Sequence, residues 1–286
     1  MSDQENQNSG DASVSRRNLL AAAAVAPAVA VLGATSAYAQ APGGNGKVAL
    51  VTGSSRGIGA ATAKRLARDG YRVTVNCVVN RDLAAAVVKD IERAGGQAIW
   101  EQADVSDPSA VARLFDANQR AFGGVDVVVN NAGIMNLAPF ASMTDEAFNR
   151  MIDVNLKGGF YVLRQAANRV RDGGRIISLS SSIIELRSPT YGPYTATKGA
   201  NSYYSNILAK ELAGRNISVN AIAPGLVNTT LFTDGKTPEV IDGFVQRTPH
   251  KRLGEPEDIA NVIGTLCSGD GGWINGQTVF ANGGVV

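Results

Sequence analysis

The chain has 286 residues, 44% of them apolar, a formal net charge of +2, one histidine and two cysteines. That describes one large soluble domain, or at most two, and the charge is too mild and too scattered for a nucleic-acid surface. A lone histidine (His250) without a G-x-S-x-G elbow argues against a histidine-based triad, and no C-x-x-C pair or histidine cluster suggests a metal. Cys77 and Cys267 fall in different elements and read as small buried apolar groups, not as a disulfide.

Residues 1–39 do not read like the remainder. Arg16-Arg17 precede an Ala/Val/Leu stretch, and Ala37-Tyr38-Ala39 stands before Gln40, the layout of a twin-arginine export signal. Pro27 and the alanine-heavy composition argue against the alternative, an uncleaved membrane helix. The expected organisation is a signal over 1–39, a linker over 40–46 and one domain over 47–286. It carries with it the export machinery as a partner, a periplasmic or exported location with a cytoplasmic pool before export, and no stable membrane span.

Residues 47–52 form a β-rich run into Gly53-Ser54-Ser55-Arg56-Gly57-Ile58-Gly59, after which the apolar period turns helical through Arg68. Strand, glycine turn and helix are the setting in which a glycine-rich loop cradles phosphate, because the helix N-terminus presents free N–H groups and a positive dipole end. The second strand is 72–77 and the next helix 82–94, with Asp82 read as its N-cap. An acid about 20 residues after the glycine turn would select NAD. Cys77 stands there instead, followed by Val78, Val79, Asn80 and Arg81. Arg56 and Arg81 could pair with a 2′-phosphate, although Arg56 also suits a solvated loop.

A third strand spans 97–102 and runs out at Asp104, with a helix from about Asp107. The apolar strand 125–129 runs into Asn130-Asn131-Ala132-Gly133, where small side chains leave room for a flat ring or a ribose. Residues 144–171 read as one long helix holding Asn155. Asparagine and the Gly158-Gly159 pair are unfavourable in a helix, which points to a kink or a functional need. Strands at 175–179 and 217–222 follow, then the loop-rich 226–254, with the look of a mobile lid, a helix over 255–267 and a last strand at 276–280. Alternating strands and helices imply a parallel sheet covered on both faces, with the site at the carboxyl ends of the strands.

Ser181, Tyr194 and Lys198 stand out within 181–198. Gly192-Pro193 opens a helical pattern that puts Tyr194 and Lys198 one turn apart on one face. A free phenol titrates near ~10, and a neighbouring ammonium favours the phenolate and makes it usable in proton transfer. The same spacing alone would also suit a core tyrosine and a surface lysine.

The chain from Lys47 onward resembles the short-chain dehydrogenase/reductase family through TGSSRGIG (52–59), NNAG (130–133), Asn155, Ser181, YTATK (194–198) and the Pro224-Gly225 turn. The segments 230–239, 252–260 and 273–284 are similar to the fungal naphthol-reductase-like group, and more loosely to bacterial 3-oxoacyl-carrier-protein reductases. The resemblance implies a Rossmann-type doubly wound parallel sheet of order 3-2-1-4-5-6-7 and a homotetramer. It implies catalytic roles for Asn155, Ser181, Tyr194 and Lys198, with Asn155 holding a water that links Lys198 to solvent. Cofactor contacts would come from Gly53, Ser55, Arg56, Gly57, Ile58, Gly59, Asp104, Val105, Asn131, Ala132, Gly133, Tyr194, Lys198, Pro224, Gly225, Val227 and Thr229.

The reading is an NADP-dependent oxidoreductase of a small, apolar or cyclic carbonyl or secondary alcohol, with NADPH preferred over NADH. The alternatives are a 3-oxoacyl-thioester reductase, disfavoured by the export signal, and a non-catalytic dinucleotide-binding sensor or scaffold. Met135, Ile183, Ile184, Leu186, Tyr191, Leu226, Leu231 and Phe232 are candidates for an apolar pocket, each of which could equally be core.

Overall fold

The structure, a computed structural model, describes residues 44–286. The export signal proposed for 1–39 and the first part of the linker lie outside the described residues. Seven strands, β1 (Val48–Val51), β2 (Arg72–Cys77), β3 (Gln97–Gln102), β4 (Val125–Asn130), β5 (Val170–Leu179), β6 (Ser218–Pro224) and β7 (Thr278–Ala281), make one sheet. Every pairing is parallel and the order is β3-β2-β1-β4-β5-β6-β7, the Rossmann-type arrangement expected.

The helices are α1 (Gly57–Arg68), α2 (Arg81–Arg93), α3 (Pro108–Phe122), α4 (Asp145–Met151), α5 (Gly159–Arg169), α6 (Ile183–Leu186), α7 (Gly192–Glu211), α8 (Thr230–Thr233), α9 (Pro238–Arg247) and α10 (Pro256–Cys267). Side chains alternate across a strand, so a strand buried on both faces feeds two cores. Ala49 and Val51 of β1 pack with Leu66 of α1, Ile91 of α2 and Ile263 of α10. Leu50 points the other way, to Leu114 and Phe115 of α3, Val162 of α5 and Leu208 of α7. The connections from β1 and β4 therefore leave to opposite faces, and a crevice opens at their carboxyl ends. Cys77 and Cys267 are both free and buried, as expected.

The long helix read over 144–171 is in fact interrupted. It runs as α4, a π-helical stretch Ile152–Gly158, and α5, and β5 starts directly afterwards at Val170. Gly158 and Gly159 explain the path. A Cβ on Gly158 would stand 2.9 Å from Val105 Cγ2, and one on Gly159 2.7 Å from Asn201 Oδ1, so the glycines let the segment press against its neighbours. The widened turn sits at Asn155, which is buried.

Other boundaries also differ. Asp82 lies inside the first turn of α2, which Asn80 precedes, so it is not the N-cap. The loop-rich stretch 226–254 contains α8 and α9, the latter opened by Pro238 at a position where a missing N–H costs nothing. Among the described residues, no helix is long and apolar enough to cross a membrane.

Candidate active site

The glycine turn after β1 is held by side chains from β2 and from the residues that directly follow β1 and β4. Thr52 Oγ1 accepts from the N–H groups of Asn131 and Ala132, each at 3.0 Å. Asn131 Nδ2 returns the contact to the carbonyls of Thr52 (2.8 Å) and Gly53 (3.0 Å). From β2, Asn76 Oδ1 accepts the Gly53 N–H at 3.0 Å while its Nδ2 donates to Ala103 O at 3.1 Å. Gly57 takes a φ of +56°, in the region where side chains are strained. A Cβ on Gly59 would lie 2.5 Å from Asn131 Nδ2, so any other residue would break the brace. Helix α1 begins with no side-chain cap and no acid in its first turn, which leaves its N–H groups and positive end available to an anion.

A cleft of about 340 Å³ runs along this turn. Its walls include Gly53, Ser55, Arg56, Gly57, Ile58, Gly59, Asp104, Val105, Asn131, Ala132, Gly133 and Thr229, all marked from the sequence, together with Cys77 to Asn80. Asp104 is the one carboxylate among them, and it is occupied. Its Oδ1 accepts from Ser106 N (2.9 Å) and Oγ (2.7 Å), and its Oδ2 from Arg150 Nη2 at 3.0 Å. Burial pushes this carboxyl upward, but the hydrogen bonds outweigh it and hold the group below the ordinary carboxylate range. Arg56 lines the cleft with no side-chain partner among the described residues. Arg81 is committed elsewhere, its guanidinium donating to Gln102 Oε1 at 2.7 Å.

Beyond the turn a second cleft of about 530 Å³ holds the proton-transfer candidates. Tyr194 and Lys198 lie one turn apart in α7, 7% and 6% exposed, and Ser181 follows the end of β5. Ser181 lies close enough to the Tyr194 side chain to act on it, and its Oγ accepts from Ile183 N at 3.3 Å. Lys198 Nζ donates to Leu179 O at 2.8 Å and sits 5.7 Å from the centre of the Tyr194 ring. Burial governs both groups. It raises the Tyr194 phenol well above its ordinary value, with Ser181 partly offsetting it, and pulls the Lys198 ammonium down to about 8. The expectation that Lys198 lowers the phenol is therefore reversed in the protein alone, because removing a charged group from water costs more here than the neighbour returns.

Asn155 stands behind both clefts. Its Oδ1 accepts from Ile134 N and its Nδ2 donates to Ile134 O, both at 2.8 Å, and Nδ2 also reaches Thr197 Oγ1 at 3.2 Å. It clamps the turn after β4 to the helix carrying Tyr194. Gly133 lies close to the ends of both Asn155 and Lys198: a Cβ there would be 3.3 Å from Asn155 Oδ1 and 3.5 Å from Lys198 Nζ.

Pro224, Gly225, Val227 and Thr229 line the second cleft, as do Met135, Ile183, Leu186, Tyr191, Leu226, Leu231 and Phe232. Ile184 does not; it packs against the small core of Met151, Ile183 and Tyr194. The sequence reading missed Asn76, Ile134 and Arg150. A buried asparagine in the otherwise apolar strand RVTVNC was the available signal for the first. No group of acids, histidines and cysteines among the described residues is arranged to hold a metal.

Residues 53–286 match the family model described as enoyl-(acyl carrier protein) reductase. The chain is 44% identical to the chloroplastic NADPH-dependent aldehyde reductase 2 of Arabidopsis thaliana, over 84% of this chain and 93% of that one. It is 38% identical to a probable tetrahydroxynaphthalene reductase of Zymoseptoria tritici, over 84% and 94%. Among solved structures, a short chain dehydrogenase from Burkholderia cenocepacia in complex with NADP superposes with a TM-score of 0.80 at 36% identity, covering 84% of this chain and 98% of that one.

Proposed function

This chain belongs to the short-chain dehydrogenase/reductase family of NAD(P)-dependent oxidoreductases, and from that premise we propose that it reduces a small apolar or cyclic carbonyl compound with NADPH. One observation carries the reading. The glycine-turn cleft and the Tyr194 cleft share Ile58, Asn131, Thr229 and Leu231 as walls, so a dinucleotide laid along the first would end beside Tyr194, Ser181 and Lys198.

The residues present suit that dinucleotide. The uncapped start of α1 would take the pyrophosphate, Arg56 a 2′-phosphate, and Gly133 leaves open the space beside Lys198 that a ribose needs. The NADP complex of the Burkholderia relative and the NADPH named for the Arabidopsis one support this choice. When bound, the nicotinamide supplies the hydride that goes to the carbonyl carbon.

The side chains do the rest. Burial keeps the Tyr194 phenol protonated at neutral pH, so it is ready to give its proton to the carbonyl oxygen. Ser181 donates a hydrogen bond to the same oxygen and fixes its position. The cation of Lys198 stabilises the phenolate left behind, and Asn155 keeps the Ile134 turn and α7 in register. Purified Tyr194→Phe should keep the fold and bind NADPH while kcat falls by several orders of magnitude, since only the proton is lost. Near-parental turnover would refute the mechanism.

We further propose that the working form is a homotetramer, which light scattering on the purified protein would test. The layout of residues 1–39 supports export through the twin-arginine route, which carries folded cargo. Protein beginning near Gln40 and still found outside the inner membrane after Arg16 and Arg17 are both changed to lysine would end that proposal.

A further inference from the structure

The wall of the Tyr194 cleft is mostly apolar, and its charged residues are all basic: Lys198 beside the reacting groups, and Lys236 and Arg247 on the α8–α9 side. Arg247 closes α9. Its guanidinium lies 5.9 Å from the centre of the Phe244 ring and has no ion pair or hydrogen bond to another side chain among the described residues. Lys236 lies 4.6 Å over the Phe232 ring and donates to Phe232 O. Phe232 and Phe244 meet edge to face at 5.4 Å, which joins the two cations to one aromatic floor.

Among the described residues none of the nearby acids forms an ion pair with Arg247 or Lys236. Asp234 acts on Lys236 but lines only the adjoining cleft. Asp242 accepts from Gln246, and Glu239 is engaged with Thr237 at the start of α9. Val285 brings the end of the chain to the same cleft, yet no ion pair forms between that end and Arg247.

An apolar chamber with a proton donor at one end and, at the other, an arginine with no carboxylate partner among the described residues fits one kind of molecule. Resting on the carbonyl-reductase reading above, we propose that the preferred substrate is an apolar carbonyl compound bearing an anionic group away from its carbonyl, bound by Arg247 with Lys236 as the second cation. A planar guanidinium can meet a carboxylate with two parallel hydrogen bonds, and partial shielding by Phe244 strengthens the pairing. A neutral substrate leaves Arg247 in water at no cost, so the cleft admits such compounds but gains nothing from them.

The test is a matched pair, an aryl ketone with a distal carboxylate and its methyl ester, assayed by NADPH oxidation. The acid should exceed the ester about 10-fold in kcat/KM, mainly through KM. Arg247→Leu should bring that ratio close to one, Arg247→Lys should keep part of it, and Lys236→Leu should reduce it. Sulfonate and phosphonate analogues distinguish a carboxylate site from a general anion site. Turnover of the ester by the parent reports on the carbonyl-reductase reading by itself.

If the ester is reduced and the acid is no better, the anion site is refuted while the reductase reading stands. If neither is reduced, calorimetric binding of the acid to the NADPH-loaded protein decides: binding lost in Arg247→Leu supports the site, and its absence in the parent refutes it. An equal fall for acid and ester in Arg247→Leu also refutes it, since that is the mark of a residue merely supporting α9.

Discussion

Asn155 occupies both main-chain polar groups of Ile134, accepting from its N–H and donating to its carbonyl, each at 2.8 Å. A primary amide does both at once, and an ionised carboxylate cannot. A carboxylate would accept from the N–H while turning a second oxygen toward the carbonyl oxygen, with a buried charge added. Asn155→Asp should therefore destabilise the protein by about 3 kcal/mol or more, read as a lower urea midpoint. Turnover should fall as well, because Ile134 lines the cofactor cleft. A variant with parental midpoint and turnover would show that the clamp is unimportant.

Among the described residues Arg56 is the cleft arginine left without a side-chain partner, whereas Arg81 is held by Gln102. Arg56→Ala should weaken NADPH roughly 10- to 100-fold, the value of one or two charge-assisted hydrogen bonds, and change NADH little. The comparison to make is the Michaelis constant for each cofactor in parent and variant. Equal losses for both would place Arg56 outside phosphate recognition.

Lys198 gives a pH signature in the cofactor-free protein. Burial lowers its folded pKa to about 8, whereas the unfolded chain holds that proton to about 10.4. Between these values unfolding takes up a proton, so the parent gains stability as the pH rises through the window and carries the full penalty below 8. The penalty is about 3 kcal/mol at most. It exceeds the ~1 kcal/mol of a lost hydrogen bond to Leu179. Lys198→Met should thus be inactive yet more resistant to urea than the parent at pH 7, with the advantage shrinking by pH 9.5. Tyr194, raised by burial, works in the opposite direction only above about 10 and is shared by both proteins. A variant weaker than the parent at pH 7 would show that the buried ammonium is well paid for by its surroundings.

The strands and the residues around the glycine turn could be read from the chain because strand burial and glycine spacing are local patterns, whereas the sheet order was implied by the family resemblance. Gly57 and Gly59 announce a turn and a close approach, and both are found. What could not be read depends on partners distant in sequence. The π-helical stretch at Ile152–Gly158 is shaped by Val105 and Asn201, which a helical period does not contain. Arg81 looked as free as Arg56 until β3 placed Gln102 against it. The pKa of Tyr194 was misjudged for the same reason, since spacing shows that Lys198 is near but not how little water reaches either group. Residues 226–254 looked irregular because three glycines and two prolines punctuate them, although α9 begins at one of those prolines.

The brace of the glycine turn draws on Thr52, Asn76 and Asn131, and the proton-transfer groups hang from β5 and α7. The brace lies within residues 52–131 and the proton-transfer groups within 155–198, so no contiguous third of the chain contains both. Contacts so far apart in sequence are slow to form, because the intervening loops must close before any of them is rewarded. Helical signal should therefore recover early when the unfolded protein is diluted from denaturant, with NADPH capture trailing it. During synthesis, the ribosome must deliver β6 before the cofactor has anywhere complete to bind.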